Sequence, residues 1–215
     1  ATDLSTIGGA TTGTVTVTNA VAISGTAAQV EAALVTTASK VEVTAATVTI
    51  SDNAGTTLAA TDLSAIGGET SGTVTVTNAI NVTGTADEAI AALHTTASKV
   101  EVTAAVVTLS DDPDLTELKQ LNAATTGAIK INTQSKTYSG SAADLAAALA
   151  GTVTNNAGAA LSGAMTVSDN ASTAVAATDL STIGGATTGT VTVTNAVAIS
   201  GTAAQVEAAL VTTAS

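Results

Sequence analysis

"ATDLSTIGGATTGTVTVTNAVAISGTAAQVEAALVTTAS" occupies residues 1–39 and returns, letter for letter, at residues 177–215. Shorter pieces of it recur between the two copies: "ATDLSAIGG" begins at 60, "GTVTVTNA" at 13, 72 and 189, and "ASKVEVTAA" at 38 and 97. After residue 119 the pattern drifts, with "GAIKINT" where "GTVTVTN" is due and "GSAADLAAAL" where "GTAAQVEAAL" is due. The chain therefore divides into unit 1–59, unit 60–118, a divergent unit 119–176, and 177–215 as the start of the next period. Self-similarity at a fixed period is the mark of a repeat architecture.

One unit reads as two coils. In "TVTVT", Val15 and Val17 face one side and Thr14, Thr16 and Thr18 the other, the alternation of a strand. A corner at Asn19-Ala20 leads to a second strand carrying Val21 and Ile23. "TAAQ" from Thr26 to Gln29 has capping-box spacing and returns as "TADE" at 85, "SAAD" at 141 and "TAAQ" at 202. Val30, Ala33 and Leu34 give the following helix one apolar stripe. The second coil carries "KVEVT" and "TVTIS", with Val41, Val43, Val48 and Ile50 inward. A short helical turn, "TDLSAI", closes it, capped by Asp62 or Thr61 and stopped by Gly67-Gly68, with Leu63 and Ile66 inward.

A single coil of this kind buries its apolar face only against its neighbours. The expectation is a repeat solenoid: a β-solenoid of parallel strands with short capping helices, two coils to each unit. Val17, Val43, Val76, Val102, Ile131, Val153 and Val193 are expected to form one column. Strand–helix–strand crossovers make a right-handed wind the default.

Composition points the same way. The 215 residues are 45% apolar yet include no Trp or Phe, one Tyr and one Met, so the core is thin and filled by Val, Ile, Leu and Ala. Seventeen acidic residues against five basic ones, a net charge of −12, would repel nucleic acid and anionic membrane. Without Cys there are no disulfides and no thiolate metal sites. No run of about 18 apolar residues marks a membrane span.

The Ala/Thr/Val-rich units, with "SGTAAQVEAAL" helices between "VTVTNA" and "VTISDN" strands, resemble tandem repeats of giant secreted bacterial surface proteins of the cyanobacterial and RTX-associated adhesin-like kind. The resemblance covers essentially the whole chain. It implies an extracellular or cell-surface location and a structural or adhesive, non-enzymatic role. The glycine-rich calcium nonapeptide of RTX proteins is missing, so calcium-driven folding does not carry over.

Candidate chemistry is sparse. His94, the one histidine, stands where the first unit has Val35, which suits a helix position better than a catalytic one. No Ser, His and acid set can be assembled more than once, and "TIGGAT" lacks the lysine and spacing of a phosphate-binding loop. The acidic corners "SDN" at 51, "SDDPD" at 110 and "SDN" at 168 follow equivalent strands. Asp111, Asp112 and Asp114 would offer three carboxylates to Ca²⁺ from one corner, against the alternative that they serve ordinary turn hydrogen bonds. Asn19, Asn78 and Asn195 read as turn residues stacked in a ladder.

Two classes of function follow. One is a structural segment of a long extracellular fibre, whose partner is the chain itself, by end-to-end stacking or as neighbouring repeats. The other is a surface-binding module: adhesive, calcium-dependent, or ice-binding through outward Thr-x-Thr rows. Glu42 and Glu101 interrupt those rows, which counts against an ice lattice, and the near-absence of aromatics counts against sugar stacking. The periodicity also carries the expectation that the native polypeptide continues with "KVEVTAATVTISDN" after Ser215.

Overall fold

β-Branched residues that alternate in exposure make short strands, and a hydroxyl followed three positions later by Gln, Glu or Asp starts each of the "TAAQ"-type helices. The structure, a computed structural model, describes residues 1–94, 96–102 and 104–211. The chain divides into two compact units: residues 1–107 with Ala124–Gly127, and Thr108–Ala123 with the chain from Ala128.

The first unit runs α1 (Thr2–Gly9), β1 (Val15–Val17), β2 (Ala22–Gly25), α2 (Ala27–Leu34), β3 (Val41–Val43), β4 (Thr47–Ile50), β5 (Thr57–Ala59), α3 (Ala60–Gly68), β6 (Val74–Val76), β7 (Asn81–Gly84), α4 (Ala86–Leu93), β8 (Val100–Glu101) and then β9 (Val106–Leu109), which crosses the boundary between the units. Every pairing within it is parallel. β1 pairs with β3, β5 pairs with β7, and β2, β4, β6 and β8 form one sheet in that order. Val15 pairs with Val41 and Val74 with Val100, in each case 26 residues later in the chain. Helix α2 packs between α1 and α3, and α3 also packs on α4.

The second unit continues with α5 (Leu115–Ala124), β10 (Ile129–Ile131), β11 (Tyr138–Gly140), α6 (Ala142–Leu149), β12 (Val153–Asn155), β13 (Met165–Val167), β14 (Ala174–Ala176), α7 (Ala177–Ala186), β15 (Val191–Val193), β16 (Ala198–Ser200) and α8 (Ala203–Leu210). β10 pairs with β12, β14 with β16, and β11, β13 and β15 form a three-stranded sheet, again all parallel. Helix α7 packs between α6 and α8. The fold class is α/β, with several parallel sheets and, among the described residues, eight helices.

Local readings from the sequence largely stand. Thr26 accepts from the Gln29 amide while Gln29 Oε1 accepts from the Thr26 amide, and the reciprocal pair recurs at Thr85/Glu88 and Thr202/Gln205. Val30, Ala33 and Leu34 are buried, as are Val48, Ile50, Leu63 and Ile66. The core is narrow and aliphatic, with Tyr138 its one aromatic side chain.

Three expectations are corrected. The single valine column is wrong: Val17 does pair with Val43, but Val76 pairs with Ile50, Val153 with Ile129, and Val193 with Val167. The reason is that strands pair at a shorter interval, 26 residues for Val15 and Val41, whereas the sequence unit that opens at Ala1 returns only at Ala60. β5, a strand not expected from the sequence, precedes α3 and pairs with β7. Neither Asp62 nor Thr61 caps α3; the helix starts at Ala60 after Ala59, without a side-chain cap. Gly67 and Gly68 are the last two residues of that helix, as Gly8 and Gly9 are of α1, but the stop is not a left-handed glycine: Glu69 and Ala10 follow in right-handed helical conformation. A Cβ on Gly67 would collide with the Ser98 carbonyl oxygen, so the glycine is there for close backbone approach.

Candidate functional site

Polar side chains in each unit are spent on the neighbouring strand layer. Thr70 Oγ1 donates to the Ala46 carbonyl at 2.5 Å and accepts from the Gly72 amide at 3.0 Å. Thr125 does the same between the Ala105 carbonyl and the Gly127 amide, and Thr187 between the Gly163 carbonyl and the Gly189 amide. All three threonines are buried. The signal was present in the sequence as Thr-x-Gly before each "VTVT"-like strand, at 11, 70, 125 and 187. Nothing local, however, says that the hydroxyl bridges to a segment 20 to 24 residues before it.

The acidic corners have the same character. Asp52 Oδ2 accepts from the Ala27 amide at the start of α2, at 2.6 Å, and Asp169 Oδ2 from the Ala142 amide at the start of α6, at 2.7 Å. A carboxylate at a helix N-terminus satisfies an otherwise orphan amide and complements the helix dipole. Asn78 and Asn195 donate to the backbone carbonyls of Asp52 and Asp169, so the expected asparagine ladder is replaced by amide-to-carbonyl bonds across layers.

At the "SDDPD" corner the three candidate calcium ligands are placed apart in role. Asp112 Oδ1 accepts from the Thr133 amide at 2.6 Å. Asp114 Oδ1 accepts from the Glu117 amide at 2.8 Å while Glu117 Oε2 accepts from the Asp114 amide, a capping box that opens α5. Asp111 is exposed, and its backbone carbonyl accepts from the Asn132 amide. Among the described residues no group of three or more His, Asp or Glu is arranged to hold a metal ion.

Tyr138 lies beside this corner. Its hydroxyl donates to the Pro113 carbonyl at 3.3 Å, and Lys136 Nζ stands 5.9 Å from the ring centroid. Burial pushes the phenol well above its ordinary pKa, and the negative charges of Asp112, Asp114 and Glu117 add to the effect. On the surface, the Lys119 hydrogen bond at 2.6 Å, helped by the Ser141 hydroxyl, holds the Asp144 carboxyl below its usual range. Both partners are half exposed, so the pair contributes little to stability.

His94 is exposed at the end of α4, on the rim of an open groove of about 340 Å³ that Lys99 and Glu101 also line. Among the described residues lining that groove there is no buried nucleophile for the imidazole to activate. The outward Thr-x-Thr rows are broken where the sequence placed the charges: Thr16 pairs with Glu42, and Thr75 with Glu101.

No protein family, curated protein or solved structure matches the chain. Its chemistry is therefore read from its own bonds, and those bonds join layer to layer. Among the described residues every buried side-chain nitrogen or oxygen has a hydrogen-bond partner.

Proposed function

We propose that this chain is a structural segment of a long, repetitive extracellular fibre or cell-surface protein, a β-solenoid whose coils stack end to end and whose role is mechanical rather than catalytic. The observation that carries the reading is the direction of its bonding. Parallel strands pair with a strand of the next coil, Val15 with Val41 and Val74 with Val100, and the buried Thr70, Thr125 and Thr187 reach back across a similar interval. A chain stabilised by nearest-neighbour layers gains from adding layers and needs no single closed core. The extracellular placement is what the resemblance read from the sequence implies, and the net charge of −12 suits a surface that stays soluble at high local density.

Electron microscopy of the native material tests the proposal. Continuous filaments with an axial repeat set by strand spacing are expected; isolated particles would refute it. No helix among the described residues is long and apolar enough to cross a membrane.

A further inference from the structure

The chain has a single proline, so Asp112-Pro113 is its one aspartyl-prolyl bond. Such a bond is labile for a chemical reason. The aspartate carboxylate can close a five-membered ring on its own carbonyl carbon, and the group it displaces is a tertiary amide nitrogen that leaves as a basic secondary amine. In an unfolded chain the ring closes slowly, because the carboxylate rotates freely and nothing stabilises charge on the carbonyl oxygen.

Both shortfalls are met at this corner, by residues of the second unit alone. The Thr133 amide donates to Asp112 Oδ1 at 2.6 Å and holds the carboxylate through that oxygen. Lys136 Nζ donates to the Asp112 backbone carbonyl oxygen at 3.4 Å, the atom on which negative charge develops during attack. On the other side of the bond, the carbonyl of the buried Pro113 accepts from the Tyr138 hydroxyl at 3.3 Å. The other two acidic corners lack this set. There the neutral amides of Asn78 and Asn195 donate to the Asp52 and Asp169 carbonyls, and each aspartate is followed by asparagine rather than proline.

From these contacts we propose that Asp112-Pro113 is a self-cleavage site, with the Asp112 carboxylate as nucleophile and the Lys136 ammonium as the group that stabilises the oxyanion. A carboxylate oxygen of Asp112 attacks the Asp112 carbonyl carbon, and the charge that moves onto the carbonyl oxygen is met by Lys136. The carbon–nitrogen bond to Pro113 then breaks, leaving a cyclic anhydride, and the departing nitrogen takes a proton from water that reaches the half-buried Asp112. The hydroxide so formed opens the anhydride to two carboxyl groups, one of which passes its proton to the amine. One water is consumed and nothing is oxidised or reduced. The products are a chain ending at Asp112 and a chain beginning at Pro113. The proposal is independent of the stacking reading of the function.

The test is incubation of the purified chain in neutral and in mildly acidic buffer, followed by intact-mass spectrometry. Two fragments are expected, residues 1–112 and 113–215, whose masses together exceed that of the intact chain by one water. Their formation should be first order, independent of protein concentration, and faster than in the same chain held unfolded in guanidinium at the same pH. Lys136→Met should slow cleavage at least about tenfold through loss of the oxyanion donor, and Lys136→Arg, which keeps the charge, should restore much of the rate. Lys119→Met, which removes a lysine paired with Asp144 instead, should leave the rate unchanged. Asp112→Asn keeps an acceptor for the Thr133 amide and should yield no fragments. All variants are compared below the lowest of their melting temperatures, so that loss of fold is not read as loss of chemistry. A chain that stays intact, equal rates in the folded and unfolded chain, or equal rates with Lys and with Met at position 136 would overturn the proposal. So would a rate that rises with protein concentration, because cleavage would then come from another molecule.

Discussion

The Asp52 carboxylate accepts a hydrogen bond from the Ala27 amide, a partner far back in the sequence, and Asp169 repeats the arrangement on Ala142. Each acidic corner thus ends one strand and starts a helix of the preceding layer. Asp52→Ala and Asp169→Ala should each lower stability by about 1 kcal/mol, the usual worth of a side-chain cap. In a chain of this size that corresponds to a fall in melting temperature of about 2–4 °C, readable by calorimetry. An unchanged melting temperature for both would show that the caps are incidental.

Two adjacent glycines in α3 should respond to alanine with opposite signs. Gly67 sits against the Ser98 carbonyl, where a methyl group has no room, so Gly67→Ala should cost about 3 kcal/mol through backbone displacement. Gly68 has no atom within 4 Å of its missing Cβ, so Gly68→Ala should gain up to about 1 kcal/mol of helix propensity. Denaturant titration of the two variants decides the matter; equal effects would refute the close-approach role.

Tyr138 is the single tyrosine of a chain without tryptophan, so its ionisation can be followed by ultraviolet absorbance without interference. Burial raises its pKa in the folded state, so the neutral phenol stabilises the fold. That contribution is complete below the unfolded-state value of about 10 and is lost as pH rises from there towards the folded-state value. The phenolate band is expected to appear together with unfolding. A separate titration near pH 10, with the far-ultraviolet spectrum unchanged, would contradict the buried placement.

Calcium should leave the protein as it is. Asp112 and Asp114 each commit a carboxylate oxygen to a backbone amide, of Thr133 and of Glu117. Melting temperature in millimolar calcium and in chelator should therefore agree. A rise with calcium that chelator reverses would restore the corner as a cation site, by mass action on the folded state.

Much of this protein was legible before any coordinates. The period-2 alternation of "TVTV" and "TVTIS", the capping boxes at Thr26, Thr85 and Thr202, and the Val30, Ala33 and Leu34 stripe are local patterns, and local patterns follow from side-chain geometry between near neighbours in the chain. The clash of Thr rows with Glu42 and Glu101 was visible for the same reason, since it needs only strand alternation and an approximate register.

What the tertiary structure alone decided is which layer meets which. "TTLAA" carries no strong strand alternation, yet β5 pairs with β7 there, and Val76 pairs with Ile50 rather than with Val43. Asp52 meets Ala27, Thr70 meets Ala46 and Gly67 meets Ser98, all pairs too distant along the chain for any local pattern to announce. The clearest case is the repeated opening stretch itself. Sequence by itself set its strands, its capping box and the helix that follows in both copies, and they recur, with β16 one residue shorter than β2. That its leucine, Leu34, is buried was decided only by the segments lying against it, because burial is a property of neighbours and not of the residues that are buried.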